Sequence, residues 1–139
     1  MDPLQFEERC PNSRRLSNAV LLDHKFIMTR RGYASVIPHK DSQVEGVLYE
    51  LTEADEEKLA KKHEGVPKYY KRKHLPVRVG SKTITALVYV ATKVTQNPVD
   101  NNGKFEYAAK ILCGAKKYKL SELYQDILLG TLGEYLDQT

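Results

Sequence analysis

No apolar run in this sequence is long enough to span a bilayer, and its first residues are acidic and polar rather than a hydrophobic leader. Neither a membrane protein nor a secreted one is expected, and the compartment that follows is the cytoplasm. Cysteine is scarce. Cys10 and Cys113 are the only two, far apart and without a metal-type or redox-type neighbour, which excludes a disulfide scaffold and predicts free thiols. The four histidines, His24, His39, His63 and His74, lack the clustering that a structural metal needs. There is no Gly-x-Ser-x-Gly elbow, P-loop or dinucleotide fingerprint, so neither a metal nor a cofactor is expected. Internal repeats and low-complexity tracts are absent too.

What remains is the composition of an ordinary globular domain. At 139 residues the chain is long enough for one core and reads as one domain over residues 1–139. The net charge is +4, and much of it lies in Lys61-Lys62-His63 and Lys71-Arg72-Lys73-His74. Interleaved with Tyr69 and Tyr70, these cations have the look of a nucleic-acid patch. With 18 acidic residues against 22 basic ones, a solvated rim is the reading adopted, with no nucleic-acid partner.

Read in order, residues 3–9 give a short helical pattern ended by Pro11. Residues 16–22 and 25–30 read as two strands separated by Asp23-His24. Residues 34–37 form another, stopped by Pro38, and 39–43 a polar turn. Leu75, Val77 and Val79 alternate as in a half-buried strand, and Gly80-Ser81-Lys82 is a hairpin turn. Residues 83–94 are rich in β-branched side chains, and the apolar run Ala86–Ala91 predicts a central position in the sheet. Residues 96–103 make a turn-rich loop. Two helices close the chain. Phe105, Ala108, Ala109, Leu112 and Cys113 share a face of the first; Leu120, Tyr124, Ile127, Leu128, Thr131, Leu132 and Tyr135 follow a 3.6 period in the second.

The stretch 43–74 organises the rest. Val44, Gly46, Val47, Leu48, Tyr49 and Leu51 lead as a strand into a helix with Thr52 as N-cap and Asp55 three residues on. Acidic residues crowd its first turn and Lys58, Lys61 and Lys62 its last, which suits the helix dipole. Gly65 can take the left-handed conformation that ends a helix, and Pro67 prevents a restart. Glu64 thus falls at the C-terminal end, where the dipole disfavours an anion and raises its pKa toward the range of a general base.

Three blocks in order carry a resemblance. VEGVLYELTEADEEKLAKKHEGVPKYYKRKHLPV resembles the central block of the γ-glutamyl cyclotransferase-like superfamily, a Gly-Val-x-Tyr-x-Leu strand before a helix ending in Glu-Gly. YAAKILCGAKKYKLSELYQDIL resembles its C-terminal helices. MDPLQFEERCPNSRRL resembles the segment that follows its N-terminal loop. The resemblance implies an α+β fold, a small mixed, twisted β-barrel flanked by helices. It implies a cofactor-independent reaction on a small-molecule γ-glutamyl substrate. The glutamyl α-amine attacks its own γ-carbonyl, and 5-oxoproline and an amine or amino acid leave. Glu64 matches the family's acid/base. Tyr70 and Tyr107 match aromatic positions near its pocket, and a substrate-binding role stands beside a plain core role for both. Cations beside the site are then expected to attract the substrate's carboxylate. The family's N-terminal strand and Tyr-Gly-Ser-Asn loop have no counterpart in the sequence. The expectation is a chain that folds but turns over poorly, with an unpaired sheet edge open to a homodimer. A catalytically silent binding or interaction module of the same fold is the alternative.

Overall fold

The computed structural model describes residues 3–29, 32–93 and 104–136. Helix α1 (Pro3–Arg9) is followed by the long strands β1 (Arg14–Met28) and β2 (Ala34–Glu50), helix α2 (Glu53–Lys58, continued by a wider turn over Leu59–His63), strands β3 (Tyr70–Val79) and β4 (Lys82–Ala91), and helices α3 (Lys104–Lys117) and α4 (Glu122–Leu136). The strands form one sheet in the order β2-β1-β3-β4. Every strand pairing among the described residues is antiparallel, so none of the parallel pairing of a mixed sheet lies among them.

Two hairpins build this sheet. β1 and β2 pair along nearly their whole length, β3 and β4 likewise, and among the described residues the ladder between the two hairpins is only Val20↔Arg78 and Leu21↔Val77. The Gly80-Ser81 turn is as the sequence predicts, with Gly80 at φ +60. The predicted breaks in the first hairpin are not there. Asp23-His24 lies within β1, and Pro38 and the polar stretch 39–43 lie within β2. The pairing jumps from Leu22↔Gln43 to His24↔Pro38. Asp23 and Asp41 take left-handed φ of 55 and 65, and the Asp41 N–H donates to the Asp23 carboxylate at 3.1 Å. Turn-forming residues have made a bulge here, a kink that bends the hairpin without ending it.

The expectation for 83–94 also changes. β4 is the end strand of the sheet order, not a central one. Its apolar residues Ala86–Val90 are half-buried, and Ala86, Leu87 and Tyr89 among them line the hollow inside the curved sheet rather than a packed two-sided core. The curl brings the two end strands together. The Ala91 N–H of β4 donates to Ser35 Oγ of β2 at 3.0 Å, closing the sheet toward a barrel at that end.

Helices α3 and α4 pack over the first hairpin. Ala115, Leu120, Tyr124 and Leu128 form a buried cluster, with Phe26, Val44 and Ile111 against it. The buried stripe of α4 is narrower than the periodicity predicts: Tyr124, Leu128 and Leu132 are buried, while Ile127 is 52% exposed. On α3, Ala108 and Ala115 are buried, but Ala109 and Cys113 face out. Both cysteines are free. No helix among the described residues is long and apolar enough to cross a membrane. The predicted loop at 96–103 lies outside the described residues.

Candidate active site

Helix α2 begins as its sequence dictates. Thr52 Oγ1 accepts the Asp55 N–H at 3.1 Å, and the Thr52 carbonyl accepts the Glu56 N–H at 2.9 Å. The far end departs from regular α geometry. The Glu64 N–H donates to the Leu59 carbonyl at 2.9 Å, five residues back, and Val66 N–H to the Ala60 carbonyl at 3.0 Å. Such a widened turn shifts the side chains beyond it around the helix axis. Buried Leu59 and Ala60 anchor it from beneath. Gly65 then reverses the chain at φ +65, and a Cβ there would lie 2.8 Å from the Tyr69 ring, so only glycine fits.

Glu64 sits at this junction, half-buried. Burial pushes its carboxyl pKa upward, and the Arg9 charge partly opposes the shift. The sequence predicts the direction, but the leading cause is loss of water rather than the helix end. No described residue hydrogen-bonds the carboxylate.

Two cavities meet at this point. One, of about 1060 Å³, has walls that include Phe26, Val44, Leu87 and Leu128. The other, of about 970 Å³, is rimmed by Arg9, Lys61, Lys62, His63 and Lys110. Glu64, Tyr89 and Tyr107 line both.

Tyr70 and Tyr107 come together, but around a peptide rather than around open space. The Tyr70 O–H donates to the Ala34 carbonyl at 2.6 Å, and the Ala34 N–H donates to the Tyr107 hydroxyl oxygen at 2.9 Å. The two phenols thus hold both polar groups of the first residue of β2. Tyr70 is buried, at the start of β3. Tyr107, in the first turn of α3, is half-buried, and its pKa is raised chiefly by burial, with the Glu64 charge adding to the rise. Its oxygen already accepts, so its own O–H is available as a donor.

Two features were missed by sequence reasoning. A charged network ties α2 to the second hairpin. Arg72 donates to Glu56 at 2.7 Å and to Glu57 at 3.2 Å, and the Tyr89 O–H donates to Glu56 at 2.9 Å. The Arg72 guanidinium is the first cause of a lowered Glu56 pKa. Arg72 of the exposed cationic patch is therefore already paired, and so is Lys61, bridged to Glu57 at 3.1 Å. The other missed residue is Arg9. Nothing local in its sequence signals proximity to Glu64, because a long-range bond brings it there: the Asn12 N–H donates to the buried Asp55 carboxylate at 2.9 Å, pinning the turn after α1 to the start of α2. No group of three potential metal ligands occurs among the described residues.

The AIG2-like γ-glutamyl cyclotransferase family matches residues 4–107. The chain belongs to that family. The fold is shared with a solved γ-glutamyl cyclotransferase at 19% identity and a TM-score of 0.74, over 91% of this chain and 79% of that one. An uncharacterized human protein is equally similar, at 20% identity and a TM-score of 0.75 over 88% of this chain and 76% of its own. YkqA from Bacillus subtilis aligns at 19% identity and a TM-score of 0.72, over 86% of this chain but 44% of its own. No curated protein matches. At these identities the likeness to solved structures establishes the fold, and the chemistry rests on the residues of the site.

Proposed function

We propose that this protein is a γ-glutamyl cyclotransferase-type enzyme with Glu64 as its general acid/base. The observation that carries the reading is the state of Glu64: a carboxyl with a raised pKa, bonded to no described neighbour, in the shared wall of two cavities. Such a group holds and returns a proton more readily than an anchored surface carboxylate does.

The substrate carries a γ-linked glutamyl group with a free α-amine. Glu64 takes a proton from that amine as its nitrogen attacks the γ-carbonyl. A carbon–nitrogen bond forms, closing the five-membered ring. The bond to the leaving nitrogen breaks as Glu64 returns the proton to it. The products are 5-oxoproline and the free amine, and no atom is gained or lost. Tyr107 has an O–H to give to the oxygen that gains charge in the tetrahedral intermediate. Tyr70 acts one step back, holding with Tyr107 the Ala34 peptide against which Tyr107 is set. The step needs no metal and no cofactor, because nucleophile and electrophile belong to one molecule and the site only has to orient them.

The test is formation of 5-oxoproline from several γ-glutamyl compounds, each beside its N-acetylated form. Turnover of the free amines alone supports the reading. Amine release from an acetylated substrate at a comparable rate makes water the nucleophile and the enzyme a hydrolase. Folded protein without turnover on any of them leaves the fold as a binding module.

A further inference from the structure

We propose that Arg9 is the group that recognises the α-carboxylate of the glutamyl substrate, seating the glutamyl head in the cation-rimmed cavity with its reacting nitrogen toward Glu64. The proposal deepens the cyclotransferase reading and rests on it.

Three observations taken together single out Arg9 among the cations of that rim. First, it is half-buried, whereas Lys61, Lys62 and Lys110 are exposed. A cation removed from water holds a carboxylate far more firmly than one screened by solvent. Second, it forms no ion pair with any described residue, a state it shares on that rim with the exposed Lys62 and Lys110, while Lys61 is engaged by Glu57. A partly buried guanidinium without a partner is costly, and a ligand carboxylate would supply the missing charge. Third, its position is built. Cys10, next to it, is buried, the Cys10 N–H closes the last turn of α1 on the Phe6 carbonyl at 2.8 Å, and the Asn12–Asp55 bond fastens that turn to the helix ending on Glu64. His63, the remaining cation candidate, is held toward its neutral form by burial and by the Arg9 charge.

The arrangement also fits the chemistry. In a glutamyl group the α-carboxylate and the α-amine share one carbon. A cation that fixes the carboxylate places the amine within a bond or two, next to the carboxylate that must deprotonate it. The Arg9 charge is already felt at Glu64. Neutralising it by a bound carboxylate leaves Glu64 more basic at the moment a base is needed.

The experiment uses the full chain and the reaction product. Binding of 5-oxoproline is compared with binding of 5-oxoprolinamide, a ring of the same size without the charge, by calorimetry or chemical-shift titration. The unsubstituted protein should prefer the acid by about tenfold or more, the low end for one charge-assisted hydrogen-bonded contact. Arg9→Gln should erase the preference and leave the affinity for the amide unchanged, which also reports that the variant is folded. Arg9→Lys should keep most of it. An equal loss of both ligands in Arg9→Gln would assign Arg9 to the scaffold and overturn the proposal, as would an unaltered preference. If the unsubstituted protein forms 5-oxoproline but does not prefer the acid, the Arg9 assignment alone fails. If it neither forms nor binds 5-oxoproline, the cyclotransferase reading falls and takes the Arg9 assignment with it.

Discussion

Glu56 and Glu64 leave the same helix about two turns apart, and their surroundings push them in opposite directions. Glu56 is held by the Arg72 guanidinium and the Tyr89 hydroxyl, and its pKa is lowered. Glu64 is bonded to no described residue, is partly stripped of water, and its pKa is raised. One carboxylate is spent on holding α2 against the second hairpin; the other is left available to a ligand.

The largest expected effect separates these two residues by turnover. Glu64→Gln keeps size and hydrogen bonding but removes basicity, and 5-oxoproline formation should fall by at least about a hundredfold, the low end of general acid–base contributions. Glu56→Gln should stay within the same order of magnitude as the parent protein. If the two variants lose turnover equally, the distinction between an anchoring and a reacting carboxylate is wrong.

The two tyrosines sharpen the same comparison. Tyr107→Phe leaves the Ala34 N–H without its acceptor, and Tyr70→Phe leaves the Ala34 carbonyl without its donor. Each should cost about 1–2 kcal/mol of stability, the range for a half-buried polar group losing its partner. Turnover corrected for folded fraction should then drop much further in Tyr107→Phe, the residue facing Glu64 electrostatically. Chemical denaturation beside kinetics checks both halves, and equal kinetic losses would reduce Tyr107 to a core aromatic.

A third outcome is read from the pH profile. Burial raises the Glu64 pKa above its ordinary 4.5, so the acid limb of kcat/KM should lie above the ordinary carboxylate range. The groups around it are Arg9 from α1, Tyr70 from β3, Tyr89 from β4, and Tyr107 and Lys110 from α3. Among them Arg9 is the cation whose charge lowers the Glu64 pKa. Removing a neighbouring cation makes the neutral acid more favourable, so Arg9→Gln should move the acid limb to higher pH. A move to lower pH would contradict the assignment of that limb to Glu64.

Local chemistry explains how much of this was legible. Thr52 and Gly65 bound the Glu64 helix because capping and left-handed turns are decided within a few residues, and both stand where the sequence puts them. Glu64 itself is singled out in the sequence by its place in the family pattern and at the end of the helix. Asp23, Pro38 and Asp41 misled because the residues that end strands also build bulges, and only the partner strand decides which. The central placement predicted for β4 failed because apolar runs report burial, not neighbours: a strand lining a hollow looks like one between two others. The nearness of Arg9 to Glu64 and the Arg72–Glu56 pair were invisible, since the residues concerned lie apart in sequence and only the folded topology brings them together.

The smallest effect is the most diagnostic, because its sign differs between the two glutamates. Glu56 has a lowered pKa in the folded state. Its ionised form therefore contributes stability that is fully present above the unfolded carboxylate pKa and is lost as pH falls through the lower folded value. Glu64 has a raised pKa, so its ionised form costs stability. That cost is absent below the unfolded pKa, grows as pH rises from there, and is complete above the folded one. At neutral pH, Glu56→Gln should lower the melting temperature and Glu64→Gln should leave it unchanged or raise it. Below the carboxylate range both carboxyls are protonated, and both differences should shrink toward zero. Melting curves of the two variants and the parent at the two pH values suffice. A fall in stability for Glu64→Gln at neutral pH would mean that the carboxylate is anchored after all, and the contrast on which the site rests would be gone.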